Sequence, residues 1–119
     1  MTTASPPHAL HGERTLMRIH VNEVDRAGDK LLYQAIVELL RARGLGGATV
    51  TQCIMGFGAT RRVHSDMSDL SALDLPVVVE CVDDEARIME VLPELDAMIG
   101  GGLVTLERAH VITYRPAVP

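Results

Sequence analysis

The sequence predicts a single α+β domain in which four antiparallel strands carry two helices on one face. Apolar residues alternate with polar ones from Thr15 to Val21, the two-residue period of a half-buried strand. Around Leu32–Leu40 and again around Ile88–Ile99 the period changes to that of a helix. The signals run strand, helix, strand, long loop, strand, helix, strand. That order is the split β-α-β, or ferredoxin-like, arrangement, an α+β sandwich of one sheet and one helical layer.

Each element follows in turn. Residues 1–14 open with MTTASPPHALHGE, which has neither a basic start nor an apolar run, so a loose tail is expected and not a signal peptide. His8 and His11 in that tail are read as solvated. The domain is placed at residues 15–116. Met17, Ile19 and Val21 form the inner face of the first strand, and a polar turn spans Asp25 to Asp29. Leu32, Ala35, Ile36, Leu39 and Leu40 then share a helix face opposite Gln34, Glu38 and Arg41, with Asp29 as the expected cap. Gly44 can take the left-handed conformation that stops this helix.

The second strand is expected from Ala48 to Met55, with a bulge near Gln52–Ile54 where its alternation fails. Gly56, Phe57 and Gly58 break it. Residues 57–74 show no helix or strand period, and a loop of that length in a small domain is usually functional or disordered. The run LPVVVECV at Leu75–Val82 suits a central strand covered on both faces. Asp83 and Asp84 are the expected cap of the second helix, which Pro93 should kink or split. Gly100 to Gly102 close it, and Leu103 to Tyr114 supply the last strand.

Composition narrows the function. At 119 residues the chain makes one domain with its own core. A net charge of −5 argues against binding nucleic acid by bulk electrostatics, and one Phe, two Tyr and no Trp leave no stacking platform. No segment has the apolar length to span a membrane, so no membrane insertion is expected. Cys53 and Cys81 lack a CxxC spacing and read as reduced, buried thiols of a cytoplasmic protein, with a disulfide as the alternative. One sheet face is left without helices. A second copy of the chain is the economical cover for it, so an oligomer is expected on physical grounds.

Three groups of residues invite chemistry. Arg61, Arg62 and His64 sit beside Gly56 and Gly58, a glycine nest with guanidinium forks that suits phosphate or carboxylate. The alternative is a solvated loop whose arginines pair with Asp66 and Asp69. Glu23 and Asp25 end the first strand and suit a ribose hydroxyl, a cation, or ordinary turn capping. His20, His64 and His110 are imidazoles, but they have no metal-ligand spacing, and no metal site is assigned. Ser65, Ser68 and Ser71 lie in an acid-rich stretch without a base, and GFG lacks the Lys-Ser/Thr ending of a Walker loop. No catalytic residues are assigned, and the protein is not expected to be an enzyme.

Glu23, GLGGATV at Gly44–Val50, GFGATRRVH at Gly56–His64, LPVVVE and GGLVTLERAHVITY at Gly101–Tyr114 together carry a resemblance. In that order and spacing the chain resembles the PII-like superfamily, and within it the uncharacterised domain of unknown function 190 family. The resemblance implies a homotrimer whose sheets pack around an axis. Loop 57–74 would be the T-loop that docks on targets, a membrane transporter or an enzyme. A small anionic ligand, an adenine nucleotide with or without Mg, would sit in clefts between subunits at the loop base.

Gly56 and Gly58 would then frame the ligand, with Gly101 and Gly102 as the facing turn and Arg115 as a phosphate ligand. Glu23 would stand at the mouth. Thr113 replaces the second arginine of the family's pair, and Gly102 replaces a basic residue. A charge-assisted contact contributes about 1.5–3 kcal/mol, so two losses weaken binding roughly a hundredfold or more unless Arg61, Arg62 or His64 compensate. The expectation is a non-catalytic signalling protein. The alternative is a divalent-metal-binding, ion-homeostasis protein of the same superfamily, and a small-molecule enzyme is the third reading.

Overall fold

A computed structural model describes residues 9–57, 64–65 and 75–115. Strand β1 spans Leu10–Asn22, short strands β2 and β3 span Arg26–Ala27 and Lys30–Leu31, and helix α1 spans Leu32–Ala42. Strands β4 (Thr49–Gln52), β5 (Met55–Gly56), β6 (His64–Ser65) and β7 (Pro76–Asp83) follow, then helix α2 (Glu85–Met98) and strand β8 (Leu103–Tyr114). The main sheet has the order β4-β7-β1-β8 with every neighbouring pair antiparallel. This is the ferredoxin-like α+β architecture expected from the sequence.

Alternation places the core. Met17, Ile19 and Val21 of β1 and Val77, Val79 and Cys81 of β7 point to one side of the sheet. There they meet Leu32, Ile36 and Leu40 of α1 and Ile88, Val91 and Leu95 of α2. The two helices therefore share a face, and burial of this aliphatic set is the main stabilising term.

Several local expectations change. β1 begins at Leu10, not Thr15, because Leu10 pairs with Tyr114 and is itself buried. Residues 10–14, expected in the tail, are thus strand. Asp29 does not cap α1. The chain forms the β2–β3 ribbon first, and the Leu32 amide donates to the Asp25 carbonyl at 2.7 Å. Asp84 sits at the N-cap of α2 without a side-chain cap bond, while the Asp83 carboxylate accepts the Asp84 amide at 2.7 Å.

Pro93 does not split α2, which runs unbroken through it. The carbonyl four residues back, at Met89, loses its helical donor, but Met89 is half exposed and water can serve it. Gly44 ends α1 as expected: φ is 81°, and the amides of Gly44 and Leu45 reach the carbonyls of Arg41 and Leu40 at 3.1 Å each. Those paired bonds are a Schellman motif, with Leu45 buried beneath it.

The second strand is shorter than expected. β4 stops at Gln52, the chain bends at Ile54, and β5 pairs with β6 instead, Met55 with Ser65 and Gly56 with His64. The broken alternation near Gln52–Ile54 therefore marks a strand end and a new ribbon, not a bulge. Part of loop 57–74 is that ribbon's return strand.

β7 also differs. Its burial alternates strictly, so Val78 and Val82 are only half-buried on the face away from the helices. No described element of this chain covers that open face.

Candidate ligand site at the loop end of the sheet

The register brings one set of the expected site residues to one end of the sheet. Asn22 lies opposite Pro76, Gln52 opposite Val77, and His20 opposite Leu103. The tops of β4, β7, β1 and β8 are therefore side by side. The Glu23 amide donates to the Leu75 carbonyl at 2.8 Å, and the Cys53 amide to the Pro76 carbonyl at 2.9 Å. Gln52 donates its side-chain amide to the Glu23 carboxylate, which ties the first strand's exit to the base of the loop. A side chain at Gly56 would come within 3.1 Å of the Pro76 ring.

Asp25 serves the turn. Its carboxylate accepts the Asn22 amide at 2.9 Å, and the Asn22 side chain accepts the Val24 amide at 3.1 Å. Of the two acids at this end, Glu23 is the one that faces the loop base.

Gly101 and Gly102 stand at the same end, across β1 from that base, and both are exposed. A Cβ on Gly102 would lie 2.6 Å from the His20 carbonyl oxygen. The basic residue that the resemblance led us to expect there has no room. Beside the turn, α2 and β8 leave a groove of about 540 Å³ lined by Leu92, Leu95, Asp96, Ile99, Val104 and Leu106. The sequence analysis missed this groove. Its signal was the pair Val104 and Leu106, apolar on the helix side of a strand that the α2 stripe is too narrow to cover.

The second set lies elsewhere. Arg115 follows Tyr114 at the far end of β8, eleven residue steps from Leu103, or about 36 Å at roughly 3.3 Å per residue. Within one chain Arg115 cannot share a ligand with Gly102. At that far end the Gly46 amide donates to Asp83 at 2.6 Å, and the Tyr114 hydroxyl donates to the Gly46 carbonyl at 2.7 Å. Asp83 is fully buried, so Gly46 of the GLGG stretch is a clasped structural residue. Gly58, Arg61 and Arg62 lie outside the described residues, and His64 is described only as a paired strand residue.

The other titratable candidates disperse. His20 is half-buried on the open face near the loop end, whereas His110 is exposed near the far end, 3.3 Å from Glu13. The two cannot share an ion. Among the described residues no three His, Cys, Asp or Glu side chains converge. Both cysteines are free. Burial, and after it the Asp83 carboxylate, pushes the Cys81 thiol up to about 12, which removes it as a nucleophile. No helix among the described residues is long and apolar enough to cross a membrane.

An α+β sheet with two helices on one face and a loop-bearing ribbon at the end that holds the glycine turn defines a PII-like protein class. The chain belongs to the domain of unknown function 190 family, described as an uncharacterized ACR, whose model matches residues 14–111. It is similar to a UPF0166 protein of Methanocaldococcus jannaschii, 37% identical over 97 residues, 81% of this chain and 89% of that protein. It is also similar to two UPF0166 proteins of Aquifex aeolicus. One is 36% identical over 100 residues, 84% of this chain and 94% of that protein. The other is 31% identical over 99 residues, 83% of this chain and 97% of that protein. The family match takes in Glu23, the loop and Gly101–Gly102, and stops short of Thr113 and Arg115.

Proposed function

We propose that the protein is a non-catalytic, cytoplasmic regulatory protein that binds a small anionic metabolite in clefts between copies of itself. An adenine nucleotide is the first candidate. Binding would alter how segment 57–74 docks on a partner, a membrane transporter or an enzyme, as order–disorder switches do.

The supporting observation is the division of the site residues between the two ends of the sheet. Glu23, Gly56, Gly101 and Gly102 gather at the loop end, and Arg115, the basic residue retained from the family's pair, is about 36 Å away along β8. A site using both ends needs a second copy. The groove beside Gly102 offers apolar walls for a ring, while the exposed glycine turn leaves backbone amides for an anion.

Calorimetric titration of the purified protein with ATP, ADP, AMP and cyclic AMP, with and without magnesium, tests the reading. Micromolar binding of one of them is expected, and Arg115→Ala should weaken it about tenfold or more. Silence across the whole set would overturn the nucleotide assignment. Binding to a protein that remains monomeric would overturn the cleft.

A further inference from the structure

We infer that Asp96 determines which ring the protein accepts, by taking a hydrogen bond from a ring amino group in the groove between α2 and β8. The inference rests on the nucleotide reading proposed above and names the edge of the base that is read.

The groove exists because α2 leaves the helix side of β8 bare. Val104 and Leu106 stand opposite Ile19 and Met17, so all four share that side of the sheet. Ile19 and Met17 are fully buried, whereas Val104 and Leu106 are 36% and 39% exposed. On α2, Leu92, Asp96 and Ile99 border the same trough at helical spacings of four and three. Its volume of about 540 Å³ suits a small organic ligand, which apolar walls hold and a few polar groups orient.

Asp96 is the polar exception among those walls. Of the described residues that line the groove it alone carries a charge, and the rest are aliphatic side chains and glycines. Its carboxylate has no ion-pair or hydrogen-bond partner among the described residues. Glu94, two residues earlier, is by contrast held by Arg43 at 2.6 and 2.7 Å. Asp96 also lies in the last turn of α2, which holds no basic residue. The helix dipole adds partial negative charge at that end, so this corner takes hydrogen-bond donors and rejects anions. The phosphates of a nucleotide are thereby turned away from Asp96, and the donor edge of its ring is turned toward it. In adenine that donor is the 6-amino group. A purine with hydrogen in its place offers the carboxylate nothing.

Calorimetry with two matched pairs tests this: ATP against purine riboside triphosphate, and AMP against purine riboside monophosphate. Within a pair the sugar and phosphates are identical, so the affinity ratio reads the amino group alone. The amino member should bind the wild type about tenfold tighter or more. Asp96→Ala should bring the ratio to about one, and Asp96→Asn, which keeps an acceptor oxygen, should fall between the two. A wild-type ratio near unity, or a preference that survives Asp96→Ala, overturns the role of Asp96 and leaves the nucleotide reading standing. Silence from both pairs overturns the two together.

Discussion

Beside Gly102 a side chain has no space, and the obstacle is backbone. The His20 carbonyl oxygen stands 2.6 Å from where a Cβ would be, with Val21 and Ile99 methyl groups at 3.3 and 3.2 Å. Gly102→Ala should therefore lower stability by about 1–3 kcal/mol, measured by urea unfolding. An unchanged midpoint would mean that the turn moves freely. Cys81 gives a second expectation. Its thiol is held protonated by burial first and by Asp83 second, so its folded pKa of about 12 lies above the ordinary value of 9.0. A thiol so raised contributes stability that is whole below the unfolded pKa and lost as pH climbs toward the folded one. Stability should fall by up to about 1.4 kcal/mol per pH unit above about pH 9, and Cys81→Ala should make that alkaline limb shallower. Equal limbs in the two proteins would refute the assignment.

Among the elements, α1 was almost fully legible and α2 was not. In α1 a narrow apolar stripe, a Schellman stop at Gly44 and a buried Leu45 all agree. Its start misled because Asp29, a good cap by residue type, is spent in the turn of the β2–β3 ribbon, where its carbonyl accepts Arg26 at 2.8 Å. In α2 the apolar residues span a broad face, yet only Ile88, Val91 and Leu95 are buried, because one helix can press only one stripe on the sheet. Met89 is left half exposed. Pro93 sits in this helix at the cost of one amide bond, so Pro93→Ala should raise the stability by about 1–3 kcal/mol. A loss in thermal scanning would mean that the ring makes packing contacts worth more than the bond. β4 and β5 show the reverse failure. One apolar-looking run from Ala48 to Met55 became two strands in different sheets; the failed alternation at Gln52–Ile54 located the break, but a local period cannot tell a bulge from a strand end.

For the whole molecule, the consequential feature is a sheet that the described elements bury on one side only. Val78 lies at its centre, flanked by His20 and Thr51, and is half-buried with no described residue of this chain packed above it. Val78→Lys should leave the helix-side core and the monomer fold within about 1 kcal/mol of wild type, yet abolish self-association in light scattering after gel filtration. An assembly that survives the lysine would move the interface elsewhere. Four strands, two helices, their order and the inner faces of β1 and α1 followed from residue periodicity, because alternation and helical spacing are local properties written every few residues. Gly56, Gly58, Arg61 and Arg62 were singled out as a glycine-framed basic cluster, and Gly101, Gly102 and Arg115 by the resemblance. Their distribution followed from neither. Only the antiparallel register of β8 on β1 put Gly102 at the loop end and Arg115 past the opposite end of a strand about 36 Å long. Only the close approach of β1 denied Gly102 a side chain, and only the crossing of three strands joined Arg18 to Glu80 and Glu107. Those are distances between residues far apart in sequence. They are set when the sheet closes over its core, and no local pattern encodes them.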